Sequence, residues 1–399
     1  MKDALDVVMA WQLRNPDVKD PQAAIDEVKR TREAGGELTA SLIDHFLRLT
    51  IRPPFQKAKR PEVTAAGRRN TKEGIATAKQ VDWFEEDSPW KNDIYVLDLL
   101  HWVLRSLNTH LIEKHWPMLL PPILTLIDDH ETHNRATGCH LLDTLLRTTP
   151  PSLLKKTGLG SVFEEALLPC LTFLPQITPV EESFEILNAA YPALIQLSHV
   201  QYPSTLPLTL QKQYNKDSTQ PLPQTEITPP KAKFLDRILR QGILTGYLHA
   251  GDNPRIATVL FAHLASLIQE LGIDSVKHLK DVLPLLSNVL SDPLGVAYPP
   301  LLIAGVKAMQ ACVLNGWPRI DTWRGEVLRG LAGAWLMLES ENSGDVEEVK
   351  RESVETLAML VVTAKSEANS DKDMRTLVGA DGRLEILLER AMEVVNGNG

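Results

Sequence analysis

The chain has 399 residues, of which 43% are hydrophobic and 23% charged, and its formal net charge is −9. A general nucleic-acid binder needs a strongly basic face to neutralise phosphates, so this acidic chain is not expected to be one, although a local basic patch is still allowed. Three cysteines, Cys139, Cys170 and Cys312, are too few for a disulfide framework. Cys139 and Cys312 lie in apolar helical stretches, which predicts buried thiols and a reducing compartment, cytosol or nucleus.

The N-terminal segment predicts neither a secretion signal nor a membrane anchor. Its apolar run is interrupted by Asp3 and Asp6, and no small-residue cleavage site follows. Nowhere does the chain contain 18 uninterrupted apolar residues, so no transmembrane helix is predicted. Residues 1–50 instead show a helical pattern that ends with SLIDHFLRL.

Residues 51–92 change in character and predict a long loop, first basic and then acidic and aromatic. Residues 51–72 carry seven basic side chains against the single Glu62. A solvated loop is one interpretation; a loop with one defined path, whose guanidinium groups are free to pair with carboxylates, is another. The arginines concerned are Arg52, Arg60, Arg68 and Arg69. A nuclear localisation signal is a third interpretation, but the basic residues are widely dispersed.

Aromatic side chains follow in the acidic stretch VDWFEEDSPW, which contains Trp83 and Phe84. Aromatic groups in a polar loop either pack on the protein's own helices or insert into a partner. Packing on its own helices is favoured, because a long loop needs fastening.

Residues 93–200 predict a first set of HEAT-like repeats. IYVLDLLHWVLRSLNTHLI predicts a long helix that ends near Trp116-Pro117, where proline lacks an amide hydrogen. LLPPILTLIDD opens one helix pair, completed by TGCHLLDTLLR, and LLPCLTFLP opens the next, completed by EESFEILNAAYPALIQL. The prolines of the two openings, Pro121 and Pro169, lie 48 positions apart. A period of about 40–47 residues is typical of HEAT and armadillo solenoids.

Residues 201–230 are rich in proline and predict a flexible insertion, and residues 231–399 predict a second set of repeats with a C-terminal helix. The clearest hydrophobic stripe of a helix in this second set begins just after Asn253-Pro254. This residue pair predicts a capped helix start. The stripe consists of Ile256, Val259, Leu260, Leu264, Leu267, Ile268 and Leu271. No strand pattern occurs, so the predicted fold is all-α, an irregular α-solenoid of HEAT/armadillo-like helix pairs.

One cluster could hold a metal: Asp128, Asp129, His130, His133, Cys139 and His140. Zinc binding is one interpretation, but the candidate ligands are irregularly spaced along the chain, and His130 and His133 are three residues apart. A turn between paired helices, in which Asp and Asn cap the second helix, is the favoured alternative. TGLGS from Thr157 likewise predicts a helix C-cap rather than a phosphate loop. With no nucleophile elbow, P-loop or dinucleotide motif, we expect no enzyme activity and no cofactor.

Four stretches resemble the Tel-two-interacting protein two family, the third subunit of the TTT (Triple-T) cochaperone complex. They are RPPFQKAKRPEVTAAGRR from Arg52, WPMLLPPILTLIDDHETHNRATGCHLLDTLLRTTP from Trp116, TGLGSVFEEALLPCLTFLP from Thr157 and TPVEESFEILNAAYPALIQL from Thr178. The resemblance covers about 50–197 and is loose after Pro230.

This resemblance implies a non-catalytic helical adaptor that joins two larger helical-repeat subunits. The complex would work with the ninety-kilodalton heat-shock chaperone on phosphatidylinositol-3-kinase-related kinases, in cytoplasm and nucleus, without nucleic acid or membrane. Two alternatives stay open: an unrelated HEAT-repeat adaptor, such as a phosphatase scaffold or transport receptor, and a metal-dependent helical hydrolase. The candidate partner-binding residues form one hypothetical ridge: Arg52, Arg60, Arg68, Arg69, Trp83, Phe84, Asp128 and Asp129.

Overall fold

The computed structural model describes residues 36, 39–55, 62–70, 89–92, 94–203, 227–339, 341, 343–364 and 367–397. Three predicted site residues, Arg60, Trp83 and Phe84, and most of the proline-rich insertion lie outside these described residues. Across the described residues the fold is all-α, as predicted. The one β-bridge among these residues is isolated and joins Val63 to Arg69.

The α-helices are numbered here in chain order. They are α1 (39–46), α2 (Ile94–Ser106), α3 (Thr109–Ile127), α4 (Thr132–Thr148), α5 (Pro151–Thr157), α6 (Gly160–Leu167), α7 (Val180–Gln201), α8 (Pro229–Arg237), α9 (Thr245–Ala250), α10 (Pro254–Leu271), α11 (Leu279–Leu290), α12 (Pro299–Asn315), α13 (Ile320–Met337), α14 (Gly344–Thr363), α15 (Glu367–Ala380) and α16 (Glu385–Gly397). Two π-helical turns, Leu47–Ile51 and Ile238–Leu244, continue α1 and α8.

The chain divides into two compact units. The first contains the residues up to Asp128 together with Thr144–Val162, and the second contains Asp129–Asp143 and the residues from Phe163 onward. The sequence-based division into five segments stays a prediction.

In the first unit, the segment 46–55 runs antiparallel to the segment 90–102. Phe46 meets Trp102 edge-on, with ring centroids 5.9 Å apart, while Phe55 stacks on Trp90 at 5.6 Å. Higher residue numbers on one segment therefore face lower numbers on the other. The π-helical turn Leu47–Ile51 also packs on α3, so these elements share one core.

Helix α3 corrects the predicted helix boundary near Trp116-Pro117. The chain breaks earlier, at Asn108, whose side-chain oxygen accepts a hydrogen bond from the Leu111 amide at 2.9 Å and caps the new helix. The helix then continues through Pro117, Pro121 and Pro122. An internal proline costs about 3 kcal/mol; burial of both Trp116 and the leucines around these prolines outweighs that cost.

In the second unit, alternate helices pack on one another. Helix α10 contacts α7 and α12, α12 contacts α14, and α14 contacts α16, while α11 contacts α13 in a second layer. Every residue of the stripe predicted for α10 is buried, and Asn253 caps this helix by accepting from the amides of Arg255 and Ile256. The predicted stripe and cap are both confirmed.

The Leu168-Pro169 step behaves differently from the prediction. It ends a helix instead of opening one, because α6 stops at Leu167 and a 3₁₀ turn covers Leu168–Thr172. A residue before proline is disfavoured in the α conformation, and proline cannot donate to the preceding turn. The second helix of this pair, α7, begins at Val180.

The stretch Pro254–Leu290 is long and apolar enough, by length and composition alone, to cross a membrane. The mean hydropathy of its 18-residue window is 1.6, and half of that window is buried inside the protein. Core helices of folded domains satisfy the same criteria, and here a 3₁₀ segment, Gly272–His278, divides α10 from α11. The expectation that no helix spans a membrane stays a prediction.

Candidate functional site

Residues 62–70 of the predicted basic loop form a tight turn, named the basic hairpin. The Thr64 amide donates to the Arg68 carbonyl and the Gly67 amide donates to the Thr64 carbonyl, both at 2.8 Å. Asn70 N–H donates to the Glu62 carbonyl and closes the base. Gly67 has a φ of +66°, a left-handed conformation that glycine adopts without the steric cost a side chain would bring.

The basic hairpin is fastened to two helices of its own unit. The indole Nε1 of Trp116 in α3 donates to the Gly67 carbonyl at 3.1 Å. The Arg69 amide donates to the carbonyl of Thr157, at the end of α5, at 2.8 Å. Gly158 then ends α5 with a φ of +70°, which confirms the predicted C-cap in TGLGS. These hydrogen bonds give residues 62–70 one defined path, as in the second of the three interpretations of the basic loop.

The backbone is held, but the charged side chains point into solvent. Arg68 and Arg69 are exposed, as is Arg52 just after the π-helical turn. Within the described part of the chain none of these three guanidinium groups takes part in an ion pair. An arginine on a fixed backbone offers planar donors suited to carboxylates. The surface can therefore bind acidic groups of another molecule with little reorganisation.

Asp128 and Asp129 lie at the turn between α3 and α4. The Asp128 amide donates to the Leu124 carbonyl and closes α3. The Asp129 carboxylate accepts from the Glu131 amide at 2.9 Å and from Asn134 Nδ2 at 3.1 Å. These bonds hold the turn before α4, but Asp129 accepts from the amide that precedes the helix and Asn134 acts as a donor, so the predicted capping of α4 by Asp and Asn stays a prediction. That the arginines and the two aspartates share one ridge stays a prediction.

The six residues proposed as metal ligands do not converge on one point. His133 Nδ1 lies 2.7 Å from Glu185 Oε1 of α7, while Cys139 is buried against another thiol. The potential ligand atoms of Asp129, His130 and Glu131 lie within 4.8 Å of one another, but His130 and Glu131 are exposed. Three consecutive residues thus remain as a possible metal group, and the wider zinc cluster is not assembled.

Cys139 and Cys170 form a contact that sequence reasoning missed. Their sulfur atoms lie 4.0 Å apart, with Cys139 donating. Hydrogen bonding to Cys170 and burial raise the pKa of the Cys139 thiol well above its usual value, and burial raises that of Cys312 to about 12. All three cysteines are buried and free, so the prediction of buried thiols for Cys139 and Cys312 is confirmed.

A second feature missed from the sequence is a charged group at the junction of α7, α8 and α10. Glu270 Oε2 lies 2.8 Å from His199 Nε2 and 2.9 Å from Lys231 Nζ. Burial opposes ionisation of Glu270, but the hydrogen bonds from His199 and Lys231 prevail and lower its pKa to about 2. These residues are far apart in the chain, so no local pattern could have connected them.

Comparison with known protein sequences identifies relatives of this chain. TELO2-interacting protein 2 of Homo sapiens is 23% identical over 235 residues, 58% of this chain and 40% of the human protein. The Mus musculus protein of the same name is 23% identical over 234 residues, again 58% and 40%. The matched region therefore spans less than half the length of these curated relatives.

A third match is short: 33 residues, 8% of this chain, are 64% identical to 6% of nucleotidyltransferase lcsQ of Purpureocillium lilacinum. A match over so little of either protein carries no argument about function.

No solved structure matches the chain. Comparison with protein families matches residues 19–297 to the Tti2 family. Since that match covers most of the sequence, the chain belongs to the Tti2 family.

Proposed function

We propose that this protein is a non-catalytic adaptor subunit of the TTT cochaperone complex. Its direct partners are the other two TTT subunits, which are helical-repeat proteins. Through them it supports maturation and stability of phosphatidylinositol-3-kinase-related kinases with the ninety-kilodalton heat-shock chaperone, in cytoplasm and nucleus. The observation that carries the proposal is the Tti2 family match over residues 19–297. The curated relatives are named for interaction with TELO2.

The packing of the second unit supports an adaptor. Contacts between alternate helices, α10 with α12 with α14 and α11 with α13, are those expected when helix pairs stack side by side. We therefore assign HEAT-like helix pairs to this unit, a solenoid type of stacking. Such stacks present extended surfaces suited to binding other proteins. The family match favours a TTT subunit over a phosphatase scaffold or a transport receptor.

The chemistry of the turn between α3 and α4, and of the first half of α4, also favours an adaptor over a hydrolase. A hydrolase needs a nucleophile or metal with a positioned general base in one water-excluding site. Here His133 is paired with Glu185, and Cys139 is buried with a raised pKa. Asp129 accepts hydrogen bonds within the turn itself, so the described candidate groups have structural roles in turn formation, pairing and packing.

The experiment is reconstitution of the complex from wild-type protein. The tagged full chain is co-expressed with the other two TTT subunits of the same organism, then purified by affinity and size exclusion. We expect one stable complex that contains all three chains. As a matched control, tagged chain with the Gly67→Ala change reports whether recovery depends on a correctly folded first unit. Recovery of the wild-type chain alone, while the other two subunits elute together, contradicts the proposal.

A further inference from the structure

Thr228 lies at the start of helix α8 and has a hydroxyl group that does not cap the helix. Its backbone is extended, with a φ of −64° and a ψ of 139°, and its side chain makes no capping hydrogen bond. A threonine at this position normally accepts from the amide of the second or third helical residue. Here the first two helical residues are Pro229 and Pro230, which have no amide hydrogen. The hydroxyl group of the half-buried Thr228 is therefore not held by the helix that it precedes.

The residues around Thr228 have the pattern that proline-directed protein kinases select. Thr228-Pro229-Pro230-Lys231 places a proline directly after the acceptor threonine and a basic residue at the third position after it. Kinases use such charge patterns to discriminate among substrates. A proline also disfavours the α conformation in the residue before it, so Thr228 already has the extended backbone of an acceptor bound to a kinase.

The fold distinguishes Thr228 from the other two Thr-Pro pairs of the chain. Thr149 is 5% exposed, and its hydroxyl group donates to the Leu145 carbonyl at 2.7 Å. Thr178 is 8% exposed, and the third residue after it is the acidic Glu181. Of the three, Thr228 is the least covered and has a basic residue at the third position. Exposure and charge therefore select the same threonine.

Lys231 connects this threonine to the charged group at the junction of α7, α8 and α10. Its Nζ lies 2.9 Å from Glu270 Oε2, and the residue is only 8% exposed. A kinase that binds the acceptor in an extended form has to open the first turn of α8, which the bond from the Ala232 amide to the Thr228 carbonyl closes at 3.0 Å. Opening this turn also separates Lys231 from Glu270. Access of a kinase to Thr228 therefore depends on the Lys231–Glu270 pair.

We propose that Thr228 is a phosphorylation site for a proline-directed protein kinase, and that the Lys231–Glu270 pair limits the rate of its modification. In the reaction, Thr228 Oγ1 forms a bond to the γ-phosphorus of ATP and the bond from that phosphorus to the β–γ bridging oxygen breaks. ADP leaves with the electron pair, and the hydroxyl proton passes to the catalytic aspartate of the kinase.

The product changes the charge balance at this junction. A phosphothreonine carries a charge of about −1.5 to −2 at neutral pH. It would lie three residues before Lys231, a spacing at which side chains on a helix meet. The phosphate then competes with Glu270 for the Lys231 ammonium group. Phosphorylation of Thr228 goes beyond the proposed adaptor function and can be measured without the other TTT subunits.

The test is phosphorylation of the folded full chain by a purified proline-directed protein kinase with Mg²⁺ and ATP. Every chain tested carries Ser88→Ala, which removes the Ser-Pro pair of the sequence, and its melting curve is recorded. Mass spectrometry of peptides locates the phosphate and follows its rate of incorporation. We expect phosphate at Thr228 and none at Thr149 or Thr178, and Thr228→Ala is expected to abolish incorporation.

Two further variants test the role of the Lys231–Glu270 pair. Glu270→Gln is expected to be phosphorylated about threefold or more faster, because a charge-assisted hydrogen bond no longer holds the first turn of α8. The matched control is Asp373→Asn, which removes a carboxylate that accepts from Arg324 at 2.5 Å in the same unit. This control is expected to be phosphorylated at the unaltered rate.

Three results would overturn the proposal. Absence of phosphate at Thr228 in the folded chain is one, and phosphate at Thr228 only in Glu270→Gln is another, because the native fold would then withhold the hydroxyl group. Equal rates at Thr149 or Thr178 would show that the kinase acts on unfolded chain. If Glu270→Gln and Asp373→Asn accelerate the reaction equally, lost stability is the cause and the role of Lys231 is wrong. None of these results bears on assembly with the other two TTT subunits, which tests the proposed function separately.

Discussion

The indole Nε1 of Trp116 donates to the carbonyl of Gly67, 49 residues earlier in the chain, at 3.1 Å. This bond connects a surface turn to a buried tryptophan of α3. It allows the basic hairpin to keep a fixed backbone while Arg68 and Arg69 stay in solvent. The geometry at Gly67 therefore decides how the candidate partner-binding arginines are presented.

Gly67→Ala is expected to destabilise the first unit more than Gly158→Ala. Both glycines have positive φ, but an added Cβ at Gly67 would lie 2.9 Å from Trp116 Cδ1 and 3.2 Å from Pro117 Cα, whereas at Gly158 the nearest atom is 3.5 Å away. We expect losses of about 3 kcal/mol and about 1 kcal/mol respectively. Urea unfolding measures both. Equal losses would show that backbone strain alone matters and that the Trp116 contact is unimportant.

Under the proposed function, reversal of Arg68 and Arg69 to glutamate is expected to weaken assembly with the other two TTT subunits without unfolding the chain. The hairpin is held through backbone groups, since the Arg69 amide bonds Thr157, and both side chains are exposed. Such substitutions usually change stability by within about 0.5 kcal/mol. Co-purification measures assembly and a melting curve measures folding. A variant that melts early but still assembles when folded would show that these arginines brace the protein itself.

Glu270→Gln is expected to reduce stability at neutral pH and to flatten its loss in acid. The folded-state pKa of Glu270 is about 2, below the value of about 4.3 in an unfolded chain. A carboxyl with a depressed pKa stabilises the fold above the unfolded pKa, and this contribution disappears as pH falls from about 5 to about 2. Unfolding free energies measured from pH 7 to pH 3 test this.

The matched control for this prediction is Glu389→Gln, which changes an exposed carboxyl of the same unit. Its pH curve is expected to follow that of the wild type. If Glu270→Gln also retains the wild-type slope in acid, the contacts with His199 and Lys231 do not contribute to the pH dependence.

The combined change His130→Ala and His133→Ala is expected to leave stability almost unaltered, with no stoichiometric zinc in the purified protein. His130 is an exposed side chain, and His133 forms an exposed pair with Glu185; such pairs contribute about 0–1 kcal/mol. Elemental analysis and a melting curve with added zinc check both points. One tightly held equivalent of metal that the double variant loses would restore the hydrolase hypothesis.

Periodic elements could be predicted because their signal is local. The stripe of α10 and its Asn253 cap need only 19 residues of chain, and both are present in the structure. Prolines misled the prediction where burial intervened: Pro117 lies inside α3, which tertiary packing keeps helical, whereas Pro169 ends α6 where a helix was expected to begin. Local rules state the cost of a proline but not what offsets it.

The sequence by itself determined that the protein is helical, acidic and built from amphipathic segments, because hydrophobic spacing and capping act over a few residues. Tertiary structure decided which distant groups meet. Trp116 donates a hydrogen bond to Gly67, Cys139 contacts Cys170, and Glu270 pairs with His199 and Lys231. It also decided that Leu49 and Trp102 face solvent although their spacing resembles that of core residues. Such contacts arise from the packing of whole helices, which no local pattern of residues encodes.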